Sequence, residues 1–387
     1  MNKTLLVAAL ALFLGACGGS DKKAQSAQGG NQAAASESAN TPLAATNELN
    51  LYIWSDYSDP STVTQFGKDN KLTINESFYD SNEMLEAKVL TGKSGYDLVA
   101  PSLSNVARQI NAGAYRPIDK SQIPNYNNID PSLLKMMAQV DPGNQYAVPY
   151  FWGINTLAIN TDLVTKHLGT DKLPENEWDL VFNPEYTQKL KHCGISFFDS
   201  PTEQFPLVLN YIGKDPNSSN PDDYKAALEA MKKVRNDIKR FSSSGYIDNM
   251  AQGELCVAIG YGGDLNIAKR RAEEAGNNIH IKVLTPKSGV GIWVDSLMIP
   301  KDAKNVANAY KYINHTLDPV IAAKNSSYVT YAPSSLPARE HMDAELAKDE
   351  SIFPNEQTMS HSFVVLPKST EIMRLQNNLW LSLKANR

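Results

Sequence analysis

Residues 49–66 read LNLYIWSDYSDPSTVTQF. Leu49, Leu51 and Ile53 alternate with Asn50, Tyr52 and Trp54, the period-2 pattern of a half-buried strand. The SDPSTVTQF that follows carries a helix start, with Ser58 or Asp59 as the cap and Pro60 suited to the first turn. Capping occupies Asp59, which leaves Trp54, Asp56 and Tyr57 at the carboxyl end of a strand, where open α/β sheets place their ligand sites. The same stretch also fits a plainer arrangement in which the rings are core and Asp56 is solvated.

The strand-then-helix reading repeats along the chain. KLTINESFYDSNEMLEAKVL (71–90) is a strand followed by Asp80 and Glu83 spaced as a capping box, and GYDLVAPSLSN (95–105) is a strand from Tyr96 to Ala100 stopped by Pro101, with Ser102 on the loop beyond. TLAIN precedes TDLVTKHL, CGISFFD precedes PTEQFPLVLNYIG, and ELCVAIGYGG precedes DLNIAKRRAEEAG. This alternation is the signature of an α/β fold, and no repeat at solenoid periods accompanies it. At 387 residues the chain exceeds one ordinary core, so two domains or lobes are expected.

The 37 basic and 42 acidic residues give a mildly acidic chain. Without a basic stripe interleaved with aromatics, a nucleic-acid partner is not indicated, and cations are the better-matched guests. The first residues, MNKTLLVAALALFLGACGGS, place Lys3 before an apolar run from Leu5 to Leu14, a secretory signal too short to span a bilayer as a mature helix. Its end, Leu14-Gly15-Ala16-Cys17, looks like a bacterial lipobox, which makes Cys17 the lipidated first residue of an envelope protein. An ordinary signal peptide that happens to contain a cysteine is the alternative. Residues 18–46 are rich in Gly, Ser, Ala, Asn and Gln and read as a flexible tether. Export to an oxidising compartment makes a disulfide the natural reading of Cys193 and Cys256, with two separate buried thiols as the alternative.

Metal and nucleophile signatures are weak. The six histidines are scattered, no HExxH pair or zinc-spaced cysteines occur, and no GxSxG elbow supports a serine hydrolase. The glycines at 260, 262 and 263 sit between a strand and a helix, yet Leu265 stands where a GxGxxG turn needs its last glycine. Asp264 would also repel a phosphate at the helix start. It is either an N-cap or an acid presented to a cation from a strand end. In GVGIWVDSLMIP (289–300), Asp295 lies inside an apolar run, and a carboxylate there needs a cationic or hydrogen-bonding partner. Backbone amides or an internal arginine could supply it. Trp293 points to the same side if this is a strand. Glu203 opens a helix just past a strand, where dipole compensation alone would welcome it. Tyr331 falls on a Pro-Ser loop, where half-buried packing would account for it.

Taken together, WSDY, FYDSNEMLEAKVL, GYDLVAPS, CGISFFDSPTEQF, NYIGKDPNSSNPDDY, CVAIGYGGD and WVDSLMIP resemble the substrate-binding proteins of bacterial spermidine/putrescine ABC transporters, from about residue 47 to the C-terminus. The resemblance implies a type II periplasmic-binding fold, two lobes that each hold a mixed sheet flanked by helices, joined by hinge strands near Phe151–Asn155 and Val290–Trp293. It implies lobe 1 at 47–152 plus 293–332 and lobe 2 at 153–292 plus 333–387, behind a signal peptide at 1–16 and the tether at 17–46. It also implies that a polyamine is clamped between the lobes by the residues matching the family's contact positions, Trp54, Ser55, Asp56, Tyr57, Ser102, Glu203, Ser243, Tyr261, Asp264, Trp293, Asp295 and Tyr331. Asp264 resembles the putrescine-binding branch, Trp293 looks more like the spermidine branch, and Tyr261 replaces the tryptophan usual at its position. Putrescine, spermidine or both are therefore open.

The function expected is that of a monomeric, lipid-anchored polyamine receptor of the cell envelope, non-enzymatic and without metal or cofactor, that closes on its ligand and docks to an ABC permease. A secreted acid/base hydrolase using two of Asp56, Glu203 and Asp295 is the enzyme alternative. A metal-ion receptor is a third, for which no histidine cluster speaks.

Overall fold

The computed structural model describes residues 47–385 apart from Asp56 and Asp80. The expectations placed on the signal peptide, the tether, Cys17, Asp56 and the capping role of Asp80 lie outside the described residues. Strand β1 (Glu48–Trp54) forms where the alternation predicts it. Leu49, Leu51 and Ile53 enter one apolar cluster, whereas Tyr52 enters another. Both faces are thus covered, and the strand is more buried than a half-solvated one. Asp59 caps the helix Pro60–Asn70, its carboxylate accepting from the Ser61 amide. The next helix, Asn82–Val89, is capped by Ser81 accepting from the Met84 amide.

Strands β2 (Thr73–Tyr79) and β3 (Leu98–Val99) flank β1 in a parallel sheet of order β2-β1-β3. Antiparallel bridges from Val99 to Met298 and from Tyr115 to Pro300 bring in the opposite chain direction, so the sheet region is mixed.

The second sheet is organised by β4 (Val148–Asn160), thirteen residues buried throughout. Most of its length pairs with β9 (Gly291–Leu297), then with β8 (Ile281–Leu284), while its other edge pairs with β10 (Ala332–Pro333) and with β7 (Val257–Tyr261). Beyond β7 come β5 (Ile195–Phe197) and β6 (Arg240–Phe241), both parallel, and β11 (Phe363–Val364) extends the β9 edge. A strand with partners on both edges and buried on both faces reads as a mainly apolar run, as VPYFWGINTLAIN does apart from Asn155, Thr156 and the final Asn160. Cys193 and Cys256 are joined by a disulfide with Cα atoms 5.4 Å apart, stapling the starts of the neighbouring strands β5 and β7.

Candidate ligand-binding site

Antiparallel pairing sets opposite residues on the same face of a sheet. Phe151 stands opposite Asp295, Gly153 opposite Trp293, and Asn155 opposite both Gly291 and Tyr261. One face of β4, β9 and the end of β7 therefore carries a carboxylate, an indole, an amide and a phenol in sequence. Gly153 has no side chain because the Trp293 ring lies across it: a Cβ there would overlap the indole.

Asp295 is 4% exposed. The Tyr57 hydroxyl donates to its Oδ2 at 2.6 Å, while Oδ1 is buried with no hydrogen-bond partner. Among the described residues, neither a backbone amide nor an arginine bonds that oxygen. Burial pushes its carboxyl up to about 6, against the opposite pull of Ser102, Tyr57 and Trp54. Ser102, the N-cap of the helix Leu103–Asn111, stands opposite Asp295 in an antiparallel backbone bridge and holds Asn82 through its own backbone amide and hydroxyl. Trp54 packs on Tyr79 with ring centroids 4.6 Å apart and donates its indole N–H to the Ala100 carbonyl.

Glu203 lies in the first turn of the helix Pro201–Tyr211, just beyond β5, and accepts from the Asn155 side-chain amide. Burial raises its carboxyl to about 7, with the Asp295 charge adding to the rise. Asp264 is no N-cap: Tyr261 occupies that position of the helix Gly262–Ala275. The Asp264 carboxylate instead accepts from the Tyr331 hydroxyl at 2.6 Å and the Tyr246 hydroxyl at 2.8 Å, and burial raises its pKa above the ordinary value. The Tyr331 ring packs over Gly263, where a Cβ would overlap it, and meets Trp293 edge-on at 4.9 Å. Tyr261 also meets Trp293 at right angles, 6.2 Å away. Tyr331 is more deeply buried than a half-packed loop residue.

Among the described residues, none of Glu203, Asp264 and Asp295 takes part in an ion pair. Three acids thus share a site walled by Trp54, Tyr57, Tyr261, Trp293 and Tyr331 without an ion-pair partner, and the Arg271 charge that acts on Asp264 is itself paired with Asp248. Ser55 and Ser243 are both exposed, and the Ser243 hydroxyl makes a 3.5 Å bond to the Asp199 carbonyl. The sequence reading missed Asn155 and Tyr246, which bind two of the acids. Only the break of an otherwise apolar β4 run by an amide signalled the first.

The raised carboxyls have a consequence for the stability of the unliganded protein. Folded Glu203 holds its proton more tightly than the unfolded chain, which titrates near 4.5, so this group's contribution to stability is complete at low pH and is lost as pH rises toward about 7. A Glu203→Gln variant, always neutral, is expected to gain in melting temperature over the wild type between about pH 5 and about pH 7.5 without ligand. A gap of equal size at both ends would show that Glu203 is not held protonated by burial.

A two-lobed solute receptor is the class that such a fold and such a cleft define. The bacterial extracellular solute-binding protein family matches residues 61–354, and the chain belongs to it. The putrescine-binding periplasmic protein SpuD of Pseudomonas aeruginosa is 43% identical over 347 residues, spanning 89% of this chain and 94% of that protein. The putrescine-binding periplasmic protein PotF of Escherichia coli is 40% identical over 351 residues, 90% and 95% of the two chains. Among solved structures, the spermidine/putrescine ABC transporter substrate-binding protein PotD of Streptococcus pneumoniae superposes with a TM-score of 0.76 at 29% identity, covering 88% of this chain and 99% of that one.

Proposed function

We propose that this protein is a non-enzymatic polyamine receptor of the periplasm that takes up putrescine, spermidine or both and delivers them to the permease of an ABC importer. The observation that carries the reading is the set of three acids, Asp295 buried and Glu203 and Asp264 half-buried, that stand among aromatic rings with no ion-pair partner. An alkyl diamine brings an ammonium with three donors at each end, which such acids can receive in place of water. Its methylenes gain about 0.8 kcal/mol per buried CH₂, and rings beside an ammonium add roughly 0.5–2 kcal/mol. Kinship with putrescine-binding and spermidine/putrescine-binding proteins points the same way. It lends nothing to the hydrolase alternative.

In this reading the ligand set is Trp54, Ser55, Asp56, Tyr57, Ser102, Glu203, Ser243, Tyr261, Asp264, Trp293, Asp295 and Tyr331. The lobes comprise 47–152 plus 293–332 and 153–292 plus 333–387, with β4 and β9 as the hinge. The receptor acts as a monomer. Calorimetry with putrescine and spermidine, run beside a turnover assay on glycosides, tests it: heat without turnover is expected, and turnover, or no heat with either amine, overturns it.

Lipid attachment at Cys17 belongs to the same proposal. Cys17→Ala is expected to leave the protein exported but released from the membrane fraction, because the polar tether offers nothing else to insert. A processed mutant that still sediments with membranes would contradict this.

A further inference from the structure

We propose that Asn155 is a further residue of the binding site, holding Glu203 in place with its amide N–H and accepting an ammonium hydrogen with its carbonyl oxygen. The inference rests on the polyamine reading above.

Asn155 sits in the middle of β4 and is 0% exposed. Its neighbours along the strand are apolar or small, and a valine would serve packing alone. The side chain is not satisfied, however. Nδ2 donates to Glu203, whereas Oδ1 is buried and has no partner. An unmade hydrogen bond at such a site is a recurring cost to the fold, so a buried orphan calls for an explanation. The orientation is chemically forced once Glu203 is ionised, because only the NH₂ end of an amide can bond a carboxylate, which leaves the carbonyl as the open end.

That open end is on the face that also bears Trp293 and Asp295, and Asp295 Oδ1 is the other unpartnered acceptor on this face. The Asp264 carboxylate already accepts from two tyrosine hydroxyls, and Asp295 Oδ2 from Tyr57. An ammonium beside Glu203 has three hydrogens to place, more than one carboxylate oxygen can receive in good geometry. Asn155 Oδ1 supplies a second acceptor bonded, through its own amide, to the first. Desolvating the ammonium is thereby compensated without adding another negative charge, which would repel Glu203 and Asp295.

Putrescine titrations of wild type, Asn155→Ala, Glu203→Gln and the double variant, repeated across pH, separate the two roles. Asn155→Ala is expected to bind about tenfold more weakly, the usual effect of losing a bond to a charged partner. Its binding midpoint in pH should also move upward, since the amide no longer favours the ionised Glu203, a shift that loss of packing alone would not produce. In the Glu203→Gln background the same truncation should still cost roughly threefold, the part due to direct contact. Asn155→Thr suits a strand and supplies a single hydroxyl in place of the amide, and is expected to fold normally and bind with intermediate affinity. Wild-type affinity in both Asn155 variants overturns the proposal, and so does a cost that vanishes without Glu203, which would leave Asn155 a prop and nothing more. A wild type that gives no heat with any polyamine overturns the functional reading itself, a result distinct from either.

Discussion

An Asp295→Asn protein is expected to bind polyamines at least about 2 kcal/mol more weakly than the wild type, on the order of 30-fold, because truncating a buried charge pair costs about 2–5 kcal/mol. The substitution preserves shape and removes charge. Asp295 is almost fully enclosed, its Oδ2 accepts from the Tyr57 hydroxyl and its Oδ1 lies within hydrogen-bond distance of no donor, Ser102 and Trp54 acting on it from farther off, so a bound ammonium would lose the acceptor least screened by water. Folding should survive, and the unliganded variant should melt no lower than the wild type, because an ionised carboxylate in this setting is itself a cost to the folded state. Calorimetric affinity and unliganded melting temperature, measured together, check the claim. Unchanged affinity with a sharply lowered melting temperature would make Asp295 a structural partner of Tyr57 instead of a ligand residue.

Replacing both Cys193 and Cys256 by serine is expected to remove roughly 4 kcal/mol of stability. The bond closes a loop of 63 residues, and the chain-entropy model assigns that cost to freeing it in the unfolded state. For a folded part of about 340 residues, at about 2.1 cal/mol/K of unfolding entropy per residue, the melting temperature should fall by about 6 °C. The bond joins the starts of β5 and β7, whose far ends lead to Glu203 and Tyr261, so the staple also sits behind two strands that deliver site residues. Affinity should nevertheless hold near the wild-type value below the transition, since the strands remain hydrogen-bonded to each other. An unchanged melting temperature under non-reducing conditions would refute the stabilising role. Loss of affinity in a protein that is still folded would show that the staple positions the site.

What the sequence determined by itself was whatever lies within one turn or one strand. The alternation at 49–54, Asp59 ahead of Pro60, the burial of Asp295 and the shared side of Trp293 and Asp295 are all set by nearest neighbours, and each appears as expected. Family resemblance supplied the two-lobed plan, which no local pattern contains. The tertiary structure decided the partners. Tyr57 and Asp295 are 238 residues apart, Tyr331 and Asp264 are 67 apart, and Asn155 and Glu203 are 48 apart. Asp264 in isolation looks equally like a cap, and it becomes a cleft acid only because Tyr246 and Tyr331 reach it from other elements. Asn155 looks like one polar interruption of a strand until β4 is seen to pass between β9 and β7, where its two amide ends meet different fates. A side chain's role in a buried site depends on which donor or acceptor fills each of its lone pairs and hydrogens, and those groups are brought together by chain crossings that local propensity does not encode.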